Sequence, residues 1–155
     1  MLTVDPKIPI PLHLDVAVAA RIASHLSAAY PLEACGVLIG SDSQDSRRVV
    51  DAIPVENAWP TQSEKARRFI LDPQHQLRIE RSLDGTGKSL IGFYHSHPDH
   101  PAEPSAFDLE AAWATYSYLI VRVSRDGAQE MRSWLLDDAM GRFIEQRVEQ
   151  HVEQR

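Results

Sequence analysis

The chain predicts one α/β domain, of mixed α+β order, built around a single sheet. Three observations carry that expectation. At 155 residues the chain suits one compact domain with a substantial buried core. Its 43% hydrophobic and 25% charged content is that of an ordinary globular protein, which argues against a disordered or fibrous chain. Short apolar runs of strand length also alternate with stretches of helical period, so the order is mixed, α/β or α+β.

The elements follow in order. Pro6, Pro9 and Pro11 make the first dozen residues an extended lead-in. In "DVAVAARIASHLSAAY", Val18, Ile22 and Leu26 recur at four-residue spacing and Asp15 stands where a helix cap belongs, so a helix is expected, ended by Pro31. "CGVLIG" reads as a buried strand, and "RRVVDAIPVENA" as a second strand broken by Pro54. "RRFILDPQHQLRIERSLDG" reads as a strand passing into a helix, with Asp72 as cap, Pro73 in the first turn and Gly85 just past the end. "SLIGFYHSH" is the next strand and "PSAFDLEAAWATY" the next helix. "YLIVRVS" and "EMRSWLL" form a hairpin around Asp126-Gly127. From Gly141 the pattern is ambiguous. Its start can return as a strand, and the domain is expected to span residues 1–145, leaving 146–155 as a polar tail that frays.

Several function classes fall away. A formal net charge of −6 argues against a general nucleic-acid surface, and the arginines form no run. No apolar stretch approaches the ~20 residues of a membrane span. The N-terminus shows no secretory signal, so a soluble, cytoplasmic protein is expected. A single cysteine, Cys35, rules out an internal disulfide and a multi-cysteine zinc site.

The chemistry concentrates in "HSHPDHPAEPSAFD", residues 95–108, where three histidines and two aspartates share fourteen positions. On a strand, His95 and His97 project to one face, ~6–7 Å apart at the backbone, while Ser96 points away. Two imidazoles converging in this way suit a zinc ion, yet two histidines at an exposed strand end can equally be solvated and inert. Read from His95 to His100, H-x-H-x-D-H resembles the metallo-β-lactamase superfamily. Those enzymes need further ligands downstream, and here only His151 follows. Ser105 and Asp108, three apart before an apolar helix, also spell a capping box that needs no metal. A carboxylate is not expected to cap and ligate at once.

Skipping His100 gives a different pattern, E…H-S-H-P-x6-S-x2-D, running from Glu33 through His95, His97 and Ser105 to Asp108. "PLEACGVLIG" and "IGFYHSHPDHPAEPSAFD" together resemble the JAMM, or MPN-plus, metalloprotease family, and the helix–strand order around them fits as well. The resemblance spans nearly the whole chain, and all five signature positions are occupied. It implies a central, mostly antiparallel sheet flanked by helices, with Zn2+ held by His95, His97 and Asp108. A three-ligand zinc site leaves a fourth position for water, whose pKa the metal lowers to about 7. By the same resemblance, Glu33 is the general base and Ser105 donates to the oxyanion. The ligand set favours zinc over iron or manganese. Cys35, in an apolar run, is expected to be an inert buried thiol.

The family's reaction is hydrolysis of an amide or isopeptide bond after the C-terminal Gly-Gly of a ubiquitin-like protein. The short chain is similar to the compact prokaryotic branch, whose partners are sulfur-carrier proteins of ubiquitin-like fold. The implied substrate is therefore a carrier's C-terminal tail, lying extended beside a strand edge. DNA-repair-associated relatives carry a similar H-x-H-P…S-x2-D signature, but the acidic balance and "PLEACGVLIG" favour the peptidase branch. A metal-free binding scaffold and a zinc hydrolase of small amides are the remaining alternatives.

Overall fold

The structure, a computed structural model, describes residues 9–152. Residues 1–8 of the expected lead-in and 153–155 of the expected tail lie outside that range. One mixed sheet of eight strands organises the chain, in the order β7-β6-β5-β4-β2-β3-β1-β8. The strands are β1 (Leu12–Asp15), β2 (Cys35–Asp42), β3 (Arg47–Val55), β4 (Ser89–Pro98), β5 (Ser117–Ser124), β6 (Gly127–Asp137), β7 (Arg142–Gln146) and β8 (Val148–His151). Helices α1 (Val16–Ala29), α2 (Pro73–Ser82) and α3 (Ala106–Ala111) pack around it, with a 3-10 turn at Gln62–Glu64.

Helix α1 starts where its cap requires: the Asp15 carboxylate accepts the Ala17 N–H at 2.7 Å. Val18, Ala19, Ile22 and Leu26 then bury one stripe against Leu12, Leu14, Leu38, Val49 and Leu119 on one face of the sheet. Full burial of each such leucine or isoleucine is worth about 1.5–3 kcal/mol. On the other face Val37, Ile39, Val55 and Leu90 pack with Ile79 of α2. β2 is therefore covered on both sides, which explains its unbroken apolar run. Asp72 caps α2 by accepting the Gln74 N–H at 2.9 Å, with Pro73 in the first turn.

Three expectations for local structure need correction. Pro54 does not break β3: it pairs with Gly36 of β2, while β1 reaches only Arg47–Val49. At Pro54, β3 is thus an outer strand, where a missing N–H is tolerated. Phe69 to Leu71 form no strand. Asn57 holds this segment instead, its side-chain oxygen accepting the Ile70 and Trp59 N–H groups and its amide donating to the carbonyls of Arg68 and Glu33. Helix α3 is shorter than "PSAFDLEAAWATY" suggests. Ala112 turns extended at φ −83°, ψ 151°, and the Trp113 N–H goes to the Tyr118 hydroxyl at 2.7 Å.

The polar segment after residue 145 also does not fray through residue 151. Gln146 is buried and accepts from the hydroxyls of both Ser117 and Ser133. β8 then pairs with β1 in parallel, His13 opposite Glu149 and Asp15 opposite His151. Polar composition concealed this strand, because its pairing partner lies at the other end of the sequence.

Candidate active site

β4 is central in the sheet, antiparallel to β2 and parallel to β5. Parallel neighbours require a crossover, and residues 99–116, including α3, form it. The crossover leaves from the two histidines and carries Ser105 and Asp108 back over the same face. The β2–β4 register, Cys35 opposite His95 with Ser96 N–H bonding to Ala34 O, sets Glu33 beside His97 when continued by one more step. Topology thus gathers residues 33, 95, 97, 105 and 108 at one end of the sheet.

His95 and His97 project together and are both buried. Ser96 faces the other way, where its hydroxyl accepts the Ala34 N–H at 3.0 Å. The His95 and His97 Nε2 atoms are 3.1 Å apart. Asp108 meets both, Oδ1 at 3.2 Å from His95 Nε2 and Oδ2 at 3.1 Å from His97 Nε2. The same carboxylate also completes a capping box. Its Oδ2 accepts the Ser105 N–H at 2.8 Å, and the Ser105 hydroxyl oxygen accepts the Asp108 N–H at 3.1 Å. Cap and histidine contacts therefore coexist in one carboxylate. Because Ser105 uses only its oxygen in the cap, its hydroxyl proton stays available to a further acceptor.

The donor set fits a metal. His97 Nδ1 lies 2.8 Å from the Pro101 carbonyl, which can only accept, so Nδ1 carries the proton. In the neutral ring, Nε2 then presents a lone pair towards a carboxylate oxygen and a second imidazole nitrogen. A proton on an imidazole or a metal ion can satisfy these contacts, and His95, His97 and Asp108 form a group that could hold a metal, with ligand atoms all within 4.8 Å.

Electrostatics divides the carboxyls. Burial disfavours the charge on Asp108, but His95, hydrogen bonds from both imidazoles and the Ser105 N–H outweigh it, and Asp108 is held well below the usual carboxylate range. Burial pulls both histidines down. It prevails at His95, which is lowered, whereas Asp108 and the Pro101 carbonyl reverse it at His97, which is raised. Glu33, only 8% exposed, is pushed up to about 8, by burial first and then by Asp108, against the opposing pull of His97. Cys35, buried beside it, is pushed up to about 12 and donates weakly to the Val55 carbonyl.

The H-x-H-x-D-H alternative is not assembled. Asp99 accepts the Tyr30 hydroxyl at 2.7 Å, and His100 is exposed. Sequence reasoning missed Phe69, whose ring stacks on His95 at 4.4 Å between centroids. It opens a cavity of about 470 Å³ that reaches His95 and Asp108 and is walled by Trp59, Phe93, Phe107, Trp113 and Tyr118. Arg68 lies over both the Trp59 and Phe107 rings at about 5.5 Å. Aromatics scattered over sixty positions carry no periodic signal, so only the fold reveals them.

The model of prokaryotic homologs of the JAB domain matches residues 15–137. The chain belongs to this prokaryotic JAB family. Desampylase from Haloferax volcanii is 39% identical over 109 residues, 70% of this chain and 73% of that protein. The CysO-cysteine peptidase of Mycobacterium tuberculosis is 32% identical over 117 residues, 74% of this chain and 75% of that one. The solution structure of a protein from Desulfitobacterium hafniense superposes with a TM-score of 0.76 at 30% identity, covering 92% of this chain and 94% of that one. The JAB match takes in every residue of the site and runs from the α1 cap to the end of β6. No helix among the described residues is long and apolar enough to cross a membrane.

Proposed function

We propose that this JAB-family protein is a zinc-dependent hydrolase that cleaves the amide or isopeptide bond following the C-terminal Gly-Gly of a ubiquitin-like or sulfur-carrier protein. One observation carries the reading: the His95, His97 and Asp108 donor atoms converge beside a buried carboxyl, Glu33, with a raised proton affinity. Two relatives, a desampylase and a CysO-cysteine peptidase, support the substrate class by name.

His95 Nε2, His97 Nε2 and the Asp108 carboxylate would hold the zinc. When bound, zinc activates a water and polarises the scissile carbonyl. Glu33 takes the proton released as water adds to the carbonyl carbon. It delivers that proton to the leaving nitrogen as the C–N bond breaks, giving a carrier carboxylate and a free amine. Its raised affinity suits delivery to the leaving nitrogen, while the first half uses the ionised carboxylate, a form that a cation held by His95, His97 and Asp108 would favour. Ser105 donates its unused hydroxyl proton to the developing oxyanion, held in place by the Asp108 N–H. Phe69 shields one face of the His95 ring, and the aromatic cavity beside it accepts an apolar part of the substrate.

The test is cleavage of a ubiquitin-fold carrier protein extended by one residue beyond Gly-Gly, followed by mass spectrometry beside a set of small amides. The expected result is loss of the added residue, abolished by chelation, restored by zinc and absent in Glu33→Gln. A folded, zinc-loaded protein that leaves the carrier intact overturns the reading, and cutting of small amides alone redirects it to them.

A further inference from the structure

A second histidine–carboxylate cluster lies on the far side of the sheet order from β4. It is formed by His13 of β1 and by Glu149 and His151 of β8. The parallel register sets His13 directly opposite Glu149, and Glu149 and His151, two apart, share its face. Leu12 and Leu14 point the other way into the core, which pins His13 outward. His13 Nδ1 and His151 Nε2 are 2.5 Å apart, and their rings stack at 4.7 Å between centroids. The Glu149 Oε2 faces both, 3.6 Å from His13 Nδ1 and 3.7 Å from His151 Nε2. Arg147 takes the other oxygen, Oε1, at 2.7 Å, which orients Oε2 towards the imidazoles.

We infer that His13, Glu149 and His151 form a second divalent-metal site, for zinc, that clamps strand β8 to strand β1. The chemistry of the donors selects the ion: two imidazoles and one carboxylate suit zinc and its transition-metal neighbours, while calcium and magnesium prefer all-oxygen shells. The spacing agrees. Zinc–ligand bonds of about 2.0–2.1 Å at a tetrahedral angle put neighbouring donors roughly 3.4 Å apart. Both contacts to Glu149 lie close to that edge. The two imidazole nitrogens must separate by about 0.9 Å to reach it. His151 is able to make that move, since its side chain is 44% exposed at the sheet edge. This site shares no residue with the His95–His97–Asp108 group and needs nothing from it.

The experiment is a zinc titration of the metal-stripped protein against a competing chromophoric chelator. Two equivalents are expected in the wild type. His13→Gln and His151→Gln should each bind one, with their circular dichroism unchanged and any peptidase activity unaltered. The wild type also gives a readout that needs no variant. Imidazole ¹⁵N shifts of His13 Nδ1 and His151 Nε2 should move to metal-bound positions as the second equivalent enters. A single equivalent in the wild type, or a second one that persists in both variants, overturns the site. So does a second equivalent that leaves those two nitrogens where they were, even if the variants fail to fold.

Discussion

Two groups of two histidines and a carboxylate sit in this molecule, built from opposite materials. His95, His97 and Asp108 lie within fourteen positions, on a central strand and its crossover, and their side chains are at most 8% exposed. His13, Glu149 and His151 are separated by up to 138 positions, on the paired strands at one edge, and their side chains are 21–44% exposed. The first group has its second partners in place: the Pro101 carbonyl fixes one tautomer, and the Ser105 N–H braces the carboxylate. Among the described residues, the second has Arg147 on its carboxylate. Burial and bracing turn a set of ligands into a reactive site, because charge is worth more where water is excluded. An open, edge-strand set of the same atoms could hold an ion, but it lacks the burial that His95, His97 and Asp108 share.

Removing a braced ligand should therefore cost the most. Asp108→Ala should abolish the proposed peptidase activity, lose the buried-site zinc by elemental analysis and, by freeing the Ser105 N–H, destabilise the fold by about 0.5–1.5 kcal/mol. Retained metal and activity would dissolve the contrast between the groups. Glu33→Gln keeps every ligand and should lower turnover about 10²–10⁴-fold with zinc content unchanged. A variant as fast as wild type would move the proton carrier elsewhere.

Ser105→Ala should lower kcat about 10²–10³-fold and stability by about 1 kcal/mol, again with zinc retained. A stability loss without a kcat loss would reduce Ser105 to its capping role. A further effect concerns pH in the metal-stripped protein. Glu33 binds its proton more tightly when folded, at about 8 against an ordinary 4.5. The stability it lends is whole below 4.5 and is lost as pH rises through 8. Denaturant titrations across that window should show Glu33→Gln gaining on the wild type as pH rises. A constant difference would mean that burial does not hold Glu33 protonated.

The same comparison explains what the sequence could reveal. His95 and His97 were legible because strand alternation is local, and the box Ser105–Asp108 because helix caps are local. Glu33 was not legible from its own surroundings. Its place beside His97 depends on which strand pairs with β2, and only the family resemblance pointed to it. Asp108 can serve the cap and the histidine pair together because a carboxylate has two oxygens with several lone pairs. Asp108 turns Oδ1 to His95 and shares Oδ2 between His97 and the Ser105 N–H. Phe69 and Asn57 were silent because their partners, His95 and the carbonyls of Glu33 and Arg68, are tertiary. The edge cluster was silent for the same reason in extreme form, since its two strands lie near opposite ends of the chain. Polar letters after residue 145 looked like a loose tail, yet in β8 they meet the backbone and side chains of β1.

The pairing of β1 with β8 also has a consequence for how the molecule is made. As the chain emerges during synthesis, β2, β3 and β4 can find one another long before the eighth strand exists. Throughout that interval the outer rim of β1 offers open N–H and C=O groups to any passing strand, the hazard that edge strands carry in aggregation. Closing a loop of well over a hundred residues is slow compared with forming a hairpin. β8 is thus the strand that covers the rim of β1, and crowding of nascent copies exposes that rim most just before β8 arrives.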